Sequence, residues 1–218
     1  MTRGTFITFE GVEGSGKSTQ ALRVHEDLRS RGIETLLTKE PGGTPIGDRI
    51  RAILLDPNAA GMDSLTELYL YAASRRQHVV EVIRPALERG AVVICDRFTD
   101  ATLAYQGFGR GLELDRLRGL NDWATSGLAP RLTLVFDLAE ETGVARARAR
   151  NVETHRDDEG RFEAESLRFH RRVREGYLAL AKAEPERFVV IDAEGSIDDV
   201  FVRTIAAITE RAGRSEGQ

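Results

Sequence analysis

The chain has 218 residues and a net charge of −4 at neutral pH. This length suits one α/β domain that can bury a sizeable core, and the negative charge argues against a general nucleic-acid binder. The single cysteine, Cys95, excludes an internal disulfide and a cysteine metal site. We find no secretory signal and no apolar run long enough to cross a membrane, so we expect a cytoplasmic protein without a membrane partner.

Five apolar, strand-like runs alternate with helical stretches along the chain. This alternation predicts an α/β fold in which a five-stranded parallel sheet is flanked by helices on both faces. We expect residues 1–212 to form one domain, followed by a polar tail, residues 213–218. Ligands bind such sheets beyond the carboxyl ends of the strands. The predicted strands are Thr5 to Phe9, Ile33 to Thr38, Ala91 to Cys95, Leu132 to Asp137 and Arg187 to Asp192.

A glycine-rich stretch, GVEGSGKS, lies between the first strand and a helical run. The spacing G-x-x-x-x-G-K-[ST] in this context predicts a phosphate-binding loop, in which backbone N–H groups and the helix N-terminus face phosphate. We expect Lys17 to reach the β- and γ-phosphates of ATP and Ser18 to ligate Mg²⁺. The residues expected to bind ATP here are Gly11, Val12, Glu13, Gly14, Ser15, Gly16, Lys17, Ser18 and Thr19.

Two loops that follow later strands also carry candidate residues. The loop from Lys39 to Pro45 contains Pro41 and paired glycines, a composition typical of tight turns, and it is either an ordinary connector or a functional loop. Asp96 and Arg97 follow the third strand. An Asp beside a phosphate loop would hold Mg²⁺ and its waters, and the adjacent Arg offers a fork for a second phosphate, although a structural ion pair is the alternative interpretation.

The segment after Arg97 and the helix before it indicate a second pocket. Aromatic, amide and glycine residues between 99 and 111 are typical of a pocket wall. In the predicted helix 65–88, Tyr71 and Arg75 are four residues apart and therefore share one face. They could stack on a base and hydrogen-bond its edge. A core position is an equal alternative for Tyr71.

A polar, charged stretch from Asn151 to Arg161 separates two predicted helices, the second beginning at Phe162. It is either a solvated loop or a lid, at about residues 148–162, that closes over a triphosphate. The chain is also rich in arginine, since only three of its 31 basic residues are lysines. Guanidinium forks suit phosphate binding, but compositional bias is the alternative explanation.

In their order along the chain, these motifs resemble those of bacterial thymidylate kinases. The resemblance extends roughly from Thr5 to Ile208 and implies a P-loop NTPase fold with a small lid. It also implies ATP as phosphoryl donor, dTMP as acceptor, Mg²⁺ as cofactor and a homodimer. The matching segments are Phe9 to Thr19, Glu40 to Thr44, Tyr71 to Arg75, Asp96 to Phe98 and Ala104 to Gly107.

The resemblance assigns roles to individual side chains. Arg97 would bind the thymidylate phosphate, Arg75 would contact the thymine edge and Tyr71 would stack on the ring. Tyr105 would crowd the sugar and favour 2′-deoxyribose, while Glu13 would organise the metal or the acceptor sugar. The implied dTMP-binding set is Glu13, Pro41, Tyr71, Arg75, Arg97, Ala101, Thr102, Tyr105 and Gln106; the implied metal set is Ser18, Asp96 and Glu13; the implied catalytic set is Lys17, Arg97, Arg150 and Glu13.

In the subtype with an acidic phosphate loop, the lid supplies the catalytic arginine. Arg150 matches that position best, Arg148 would also contact ATP, and Arg156 is a further rival. Ala101 stands where the family often has a serine, so Thr102 or water would supply the polar contact. The alternative function is a P-loop kinase of another nucleotide or small acceptor; a guanine-specific switch is disfavoured because the chain lacks N-K-x-D.

Overall fold

The structure is a computed structural model that describes residues 4–154, 161–162 and 164–213, without the side chains of residues 148, 150–154 and 212–213. The strands are β1 (Phe6–Gly11), β2 (Thr35–Lys39), β3 (Val92–Asp96), β4 (Leu132–Asp137) and β5 (Phe188–Asp192). They form one parallel sheet in the order β2-β3-β1-β4-β5. The predicted five-stranded parallel sheet is confirmed; the bounds of β4 are as predicted, and those of the other strands differ by at most two residues.

Helices connect the strands and cover the sheet. A π-helical turn, Val79–Ile83, joins α3 to α4, which accounts for the single long helix predicted there, and a second π-helical segment, Leu103–Gly109, continues α5. π-Helical insertions occur frequently at functional sites. The helices are α1 (Lys17–Ser30), α2 (Pro45–Leu55), α3 (Ser64–His78), α4 (Arg84–Glu88), α5 (Thr99–Thr102), α6 (Leu114–Thr125), α7 (Glu140–Thr154), α8 (Leu167–Ala183) and α9 (Ile197–Gly213).

The two faces of the sheet have separate apolar cores because successive strand side chains point to opposite faces. On one face, Ile7 and Phe9 of β1 pack with residues of α1 and α9. On the other face, Val135 of β4 packs with Tyr177 of α8 and with Tyr105 of the second π-helical segment. Both faces are therefore buried, as a parallel sheet requires.

Strand order determines where the loops meet. β1 is the central strand, and the chain crosses from one half of the sheet to the other between β3 and β4. Phe9 of β1 is paired in register with Asp96 of β3. The loop after β1 and the residues after β3 therefore emerge side by side, at the point where α/β sheets bind ligands.

The predicted boundaries around the lid were wrong in two respects. Helix α7 continues to Thr154, so residues 151–154 are helical and not part of a loop. The next helix begins at Leu167, not at Phe162, because the Ser166 side chain caps it by accepting a hydrogen bond from the Phe169 backbone N–H. Phe162 instead lies buried in the core. Residues 155–160, which include Arg156, lie outside the described part of the chain.

Candidate active site

The loop after β1 has the backbone geometry of an anion cradle. Gly14 and Gly16 have positive φ angles of 67° and 83°, which glycine adopts without steric cost. Gly16 directly precedes α1, and no side chain caps this helix terminus. Its first N–H groups are thus available to an anion. Lys17 Nζ donates to the Val12 carbonyl at 3.3 Å, and burial, with the neighbouring charge of Arg97, lowers the pKa of the Lys17 ammonium.

The first turn of α7 packs directly against this loop, which the sequence analysis did not anticipate. A Cβ added at Gly14 would lie 2.0 Å from the Gly143 carbonyl oxygen, and a Cβ at Gly143 would lie 2.4 Å from the Glu13 carbonyl oxygen. Real Cβ atoms do not approach backbone so closely, so both glycines are required. The helix that carries the candidate lid arginines is therefore in backbone contact with the phosphate loop.

Oxygen atoms suited to a divalent cation lie beside Lys17. The Ser18 hydroxyl donates a short hydrogen bond to Asp96 Oδ2, and Asp96 Oδ1 is buried without a partner among the described residues. A hydroxyl and a carboxylate are hard ligands of the kind that Mg²⁺ takes together with nucleotide phosphates. Within the described ranges no cluster of three or more His, Cys, Asp or Glu could hold a metal alone. These residues fit an ion whose remaining ligands are phosphate and water.

Arg97 is the centre of the hydrogen-bond network. It has a left-handed backbone with φ of 69°, an unusual conformation for a residue with a side chain. Its Nη2 donates to Glu13 Oε1 at 2.7 Å and to the Tyr105 hydroxyl at 3.0 Å. Its Nη1 donates to the Gly11 carbonyl at 3.1 Å and to the Tyr177 hydroxyl at 3.2 Å. The guanidinium is thus oriented between the phosphate loop and the pocket.

Glu10 is linked to Arg97 through the Tyr177 hydroxyl, which accepts from Arg97 and donates to Glu10. The sequence analysis did not identify this residue. This carboxylate is fully buried and accepts from the Phe98 backbone N–H at 2.7 Å and from the Tyr177 hydroxyl at 2.8 Å. Burial, together with the nearby charge of Asp100, raises the pKa of Glu10 to about 8. An acidic residue inside an apolar strand next to a phosphate loop was the sequence signal that could have revealed it.

A pocket with a volume of about 300 Å³ extends from the phosphate loop toward α3. Lys17, Ser18 and Asp96 lie at its wall together with all nine residues that the sequence analysis assigned to dTMP. The structure therefore brings the predicted phosphate, metal and acceptor residues into one pocket. Those nine residues are Glu13, Pro41, Tyr71, Arg75, Arg97, Ala101, Thr102, Tyr105 and Gln106.

Most of the hydrogen-bond donors of the Arg75 guanidinium are already bound to other protein groups. Its side chain is buried, and its Nε donates to Glu40 Oε2 at 2.7 Å. Its Nη1 donates to Thr102 at 2.9 Å and to Asn121 at 2.6 Å, and its Nη2 donates to the Phe98 carbonyl at 2.9 Å. A guanidinium has five N–H groups, so these four bonds leave one for a base edge. The predicted contact with thymine stays a prediction.

The arrangement is typical of a nucleotide kinase: a phosphate loop, the Ser18–Asp96 pair and an adjoining pocket. Comparison with known protein families identifies which kind of kinase it is. The family model for thymidylate kinase matches residues 9–203. The chain belongs to the thymidylate kinase family. The thymidylate kinase of Syntrophotalea carbinolica is 54% identical over 198 residues, which cover 91% of this chain and 92% of that protein. That of Desulfovibrio desulfuricans is 54% identical over 213 residues, covering 96% and 98%.

Solved structures of thymidylate kinases agree with this assignment. The crystal structure of the Ehrlichia chaffeensis thymidylate kinase has a TM-score of 0.76 and 35% identity, covering 95% of this chain and 99% of that one. The resemblance to thymidylate kinases, the P-loop fold class and the assignment as a kinase are confirmed. No helix in the described ranges is long and apolar enough to cross a membrane.

The candidate lid arginines are Arg148, Arg150 and Arg156. The backbones of Arg148 and Arg150 belong to α7, but their side chains and the whole of Arg156 lie outside the described residues. Their predicted contacts with ATP, and the choice of catalytic arginine among them, stay predictions.

Proposed function

We infer that this chain transfers the γ-phosphoryl group of ATP to dTMP and forms dTDP. One observation carries the inference: the phosphate loop and all nine candidate acceptor residues line a single pocket at the carboxyl edge of the sheet. Such an enzyme must hold two anionic nucleotides in line, and catalysis then consists of positioning and charge neutralisation, with little covalent chemistry.

On the donor side, the loop N–H groups and Lys17 would bind the β- and γ-phosphates of ATP. We propose Ser18 and Asp96 as the protein ligands of Mg²⁺, with Glu13, which lines the same pocket, acting through water. Bound there, the ion would neutralise charge that develops on the phosphate oxygens. Asp96 Oδ1, which is buried and has no hydrogen-bond partner among the described residues, supports this choice.

On the acceptor side, Arg97 would bind the 5′-phosphate of dTMP. Its donors now face Glu13 and Tyr105, so the phosphate would share or replace these contacts. Tyr71 would stack on thymine from α3, and Tyr105 would crowd the 2′-position of the sugar. No general base is needed, because a phosphate monoester is already anionic near neutral pH.

We propose Arg150 as the arginine that neutralises the transferring phosphoryl group, with Arg148 as a further ATP contact. The packing of Gly143 against Gly14 supports a role for α7, since it fixes the start of this helix on the phosphate loop. A lysine and a divalent ion alone leave the equatorial oxygens poorly neutralised. Arginines delivered to such transition states contribute about 10³–10⁵ in rate.

A homodimer is the proposed assembly. Helix α3 packs between α2 and α6, and all three helices expose apolar side chains. Trp123 is 81% exposed and Tyr69 is 60% exposed, which is unusual for large aromatic residues on a monomer. Sedimentation equilibrium of the parent and of Tyr69→Glu tests this: a dimer that the substitution dissociates supports it.

A cytoplasmic location is also proposed, and the buried free thiol of Cys95 agrees with it.

A coupled assay with ATP and a panel of acceptors tests the proposed reaction. The panel contains dTMP, dUMP, UMP, CMP and AMP at matched concentrations. We expect kcat/KM to be highest for dTMP, because Tyr71 and Tyr105 line the acceptor pocket. Equal values across the panel, or a preference for another monophosphate, would favour the alternative of a P-loop kinase with a different acceptor.

A further inference from the structure

A buried carboxylate that neither the phosphate loop nor the acceptor motifs include lies behind the acceptor pocket. Glu67, on α3, is 1% exposed. It precedes Tyr71 by four residues and Arg75 by eight, so the three side chains lie on one face of the helix. Burying an ionised carboxylate is costly unless it is paired and hydrogen-bonded. The contacts of Glu67 therefore need an explanation beyond packing.

Three side chains from two other segments donate to this carboxylate. Gln106 Nε2 lies 2.8 Å and Arg110 Nε lies 3.4 Å from Glu67 Oε1. Arg110 Nη2 lies 3.2 Å and Arg161 Nη2 lies 2.6 Å from Glu67 Oε2. Each oxygen thus accepts two bonds. Burial raises the pKa of Glu67, but these donors and the two guanidinium charges outweigh burial and hold the pKa below its ordinary value.

Arg161 links this carboxylate to the wall of the pocket. Its Nε donates to the Leu54 carbonyl at the end of α2, at 2.5 Å. Its guanidinium lies over the Phe162 ring, 4.5 Å from the ring centroid. The Phe162 ring in turn meets Tyr105 edge-to-face, with centroids 5.6 Å apart. Gln106 and Phe162 both line the acceptor pocket.

We propose that Glu67 is a positioning residue for the acceptor pocket. Its carboxylate holds Gln106 and the Arg161–Phe162 segment against α3, the helix that carries Tyr71. This proposal rests on the proposed function, because it assumes that dTMP occupies this pocket. It assigns Glu67 to acceptor binding and not to phosphoryl transfer, since its contacts lead to the wall around the nucleoside.

The geometry also explains why a neutral isostere cannot replace this carboxylate. In Glu67→Gln, one oxygen becomes an NH₂ group, which is a donor. Either orientation of the amide then faces two existing donors, Gln106 and Arg110 on one side or Arg110 and Arg161 on the other. The pocket wall would have to shift to relieve this conflict.

The test measures dTMP binding and steady-state kinetics of Glu67→Gln, Arg161→Lys and the parent. Arg161→Lys keeps the charge but cannot reach both Glu67 and the Leu54 carbonyl as a fork does. By calorimetry without ATP, we expect the Kd for dTMP to rise at least about tenfold in each variant, equivalent to about 1.4 kcal/mol. KM for dTMP should rise in parallel, while KM for ATP and kcat at saturating dTMP stay within about threefold.

Glu165→Gln is the matched control. Glu165 accepts from Arg110 Nη1 at 2.5 Å, but within the described ranges its side chain contacts neither Gln106 nor Arg161, so its loss leaves the contacts between Glu67 and the pocket wall intact. We expect its Kd for dTMP to stay within about twofold of the parent.

The outcomes separate the proposals. A lower melting temperature and kcat with an unchanged Kd for dTMP in both variants would show a merely structural role and overturn the inference. If Glu67→Gln does not fold, Arg161→Lys alone decides the matter by the same criterion. If the parent itself does not bind dTMP, the proposed function fails and this inference fails with it.

Discussion

Replacing Arg97 by alanine tests the acceptor side of the site most directly. The guanidinium is oriented by four acceptors, which include Glu13 and the Tyr177 hydroxyl. Removing it would leave the acceptor phosphate without its fork. It would also remove the positive charge beside the Glu13 carboxylate, whose negative charge would then repel that phosphate. Both effects weaken dTMP binding and transfer, whereas ATP on the phosphate loop keeps its own contacts.

The magnitude follows from the bonds that are lost. A hydrogen bond to a charged group contributes about 1.5–3 kcal/mol, and a fork makes two of them, so we expect a total loss of about 2–4 kcal/mol after solvent competes. At about 1.4 kcal/mol per factor of ten, kcat/KM for dTMP should fall roughly 30- to 700-fold. Arg97→Lys should recover part of this loss, because it restores the charge but not the bidentate geometry.

The assay is steady-state kinetics with dTMP varied at saturating ATP, beside nucleotide binding measured separately. Circular dichroism and thermal melting serve as controls for folding, since Arg97 has a positive φ that alanine does not relieve. A further control is Glu13→Gln, in which Arg97 keeps its position but loses an ionic partner. An Arg97→Ala variant that folds and transfers within about twofold of the parental kcat/KM would refute the role.

Three further predictions concern the lid, the sugar and pH. Arg150→Ala should lower single-turnover kcat at least about a hundredfold; if Arg148→Ala is impaired and Arg150→Ala is not, the lid arginine was assigned wrongly. Tyr105→Ala should reduce the preference for dTMP over ribothymidylate, because the ring occupies the space of a 2′-hydroxyl; unchanged ratios of kcat/KM would exclude this. Glu10 has a pKa of about 8 in the fold against 4.5 as its ordinary value, so the folded protein keeps a proton that the unfolded chain releases, and stability falls as pH rises between these values. The free energy of unfolding from urea titrations should therefore fall more steeply between pH 5 and pH 8 than that of Glu10→Gln, by up to about 1.4 kcal/mol per pH unit; parallel profiles would contradict the argument.

Local patterns were sufficient to predict the sheet and the donor side of the site. Each strand is a short apolar run bounded by turns, and the phosphate loop has fixed spacing. Because parallel strands end at one edge, the predictions for Lys17 and Asp96 required no knowledge of long-range contacts. Strand order was less accessible. The crossing between β3 and β4 depends on packing across the whole sheet, which no single segment encodes.

The residues that sequence reasoning missed act across long distances in the chain. Glu10 bonds Tyr177 at a separation of 167 residues, and Gly143 is required by its approach to Glu13. Neither is a fixed position of the G-x-x-x-x-G-K-[ST] spacing, so neither that motif nor periodicity could predict their partners. The end of α7 was misjudged because, of residues 151–154, only Glu153 is a strong helix former, so propensity did not indicate that the helix continues through them.

Arginine abundance has a structural explanation that composition alone did not supply. Two guanidiniums are buried and do not face a phosphate site. Each is paired with a buried carboxylate of the same fold: Arg75 with Glu40, and Arg161 with Glu67. Buried ion pairs contribute little net stability, because desolvation offsets their attraction, but breaking one partner away is costly. Such pairs therefore favour the one arrangement of the helices that keeps both partners together, and disfavour arrangements that would separate them. In this enzyme Arg75 and Glu40 line the pocket, and the Arg161–Glu67 pair lies behind Gln106 and Phe162 of its wall. A small displacement of a side chain there would change which nucleotide fits. Under the proposed function, arginine would thus perform two tasks: Arg97 would bind the acceptor phosphate, and Arg75 and Arg161 would fix the walls around the acceptor.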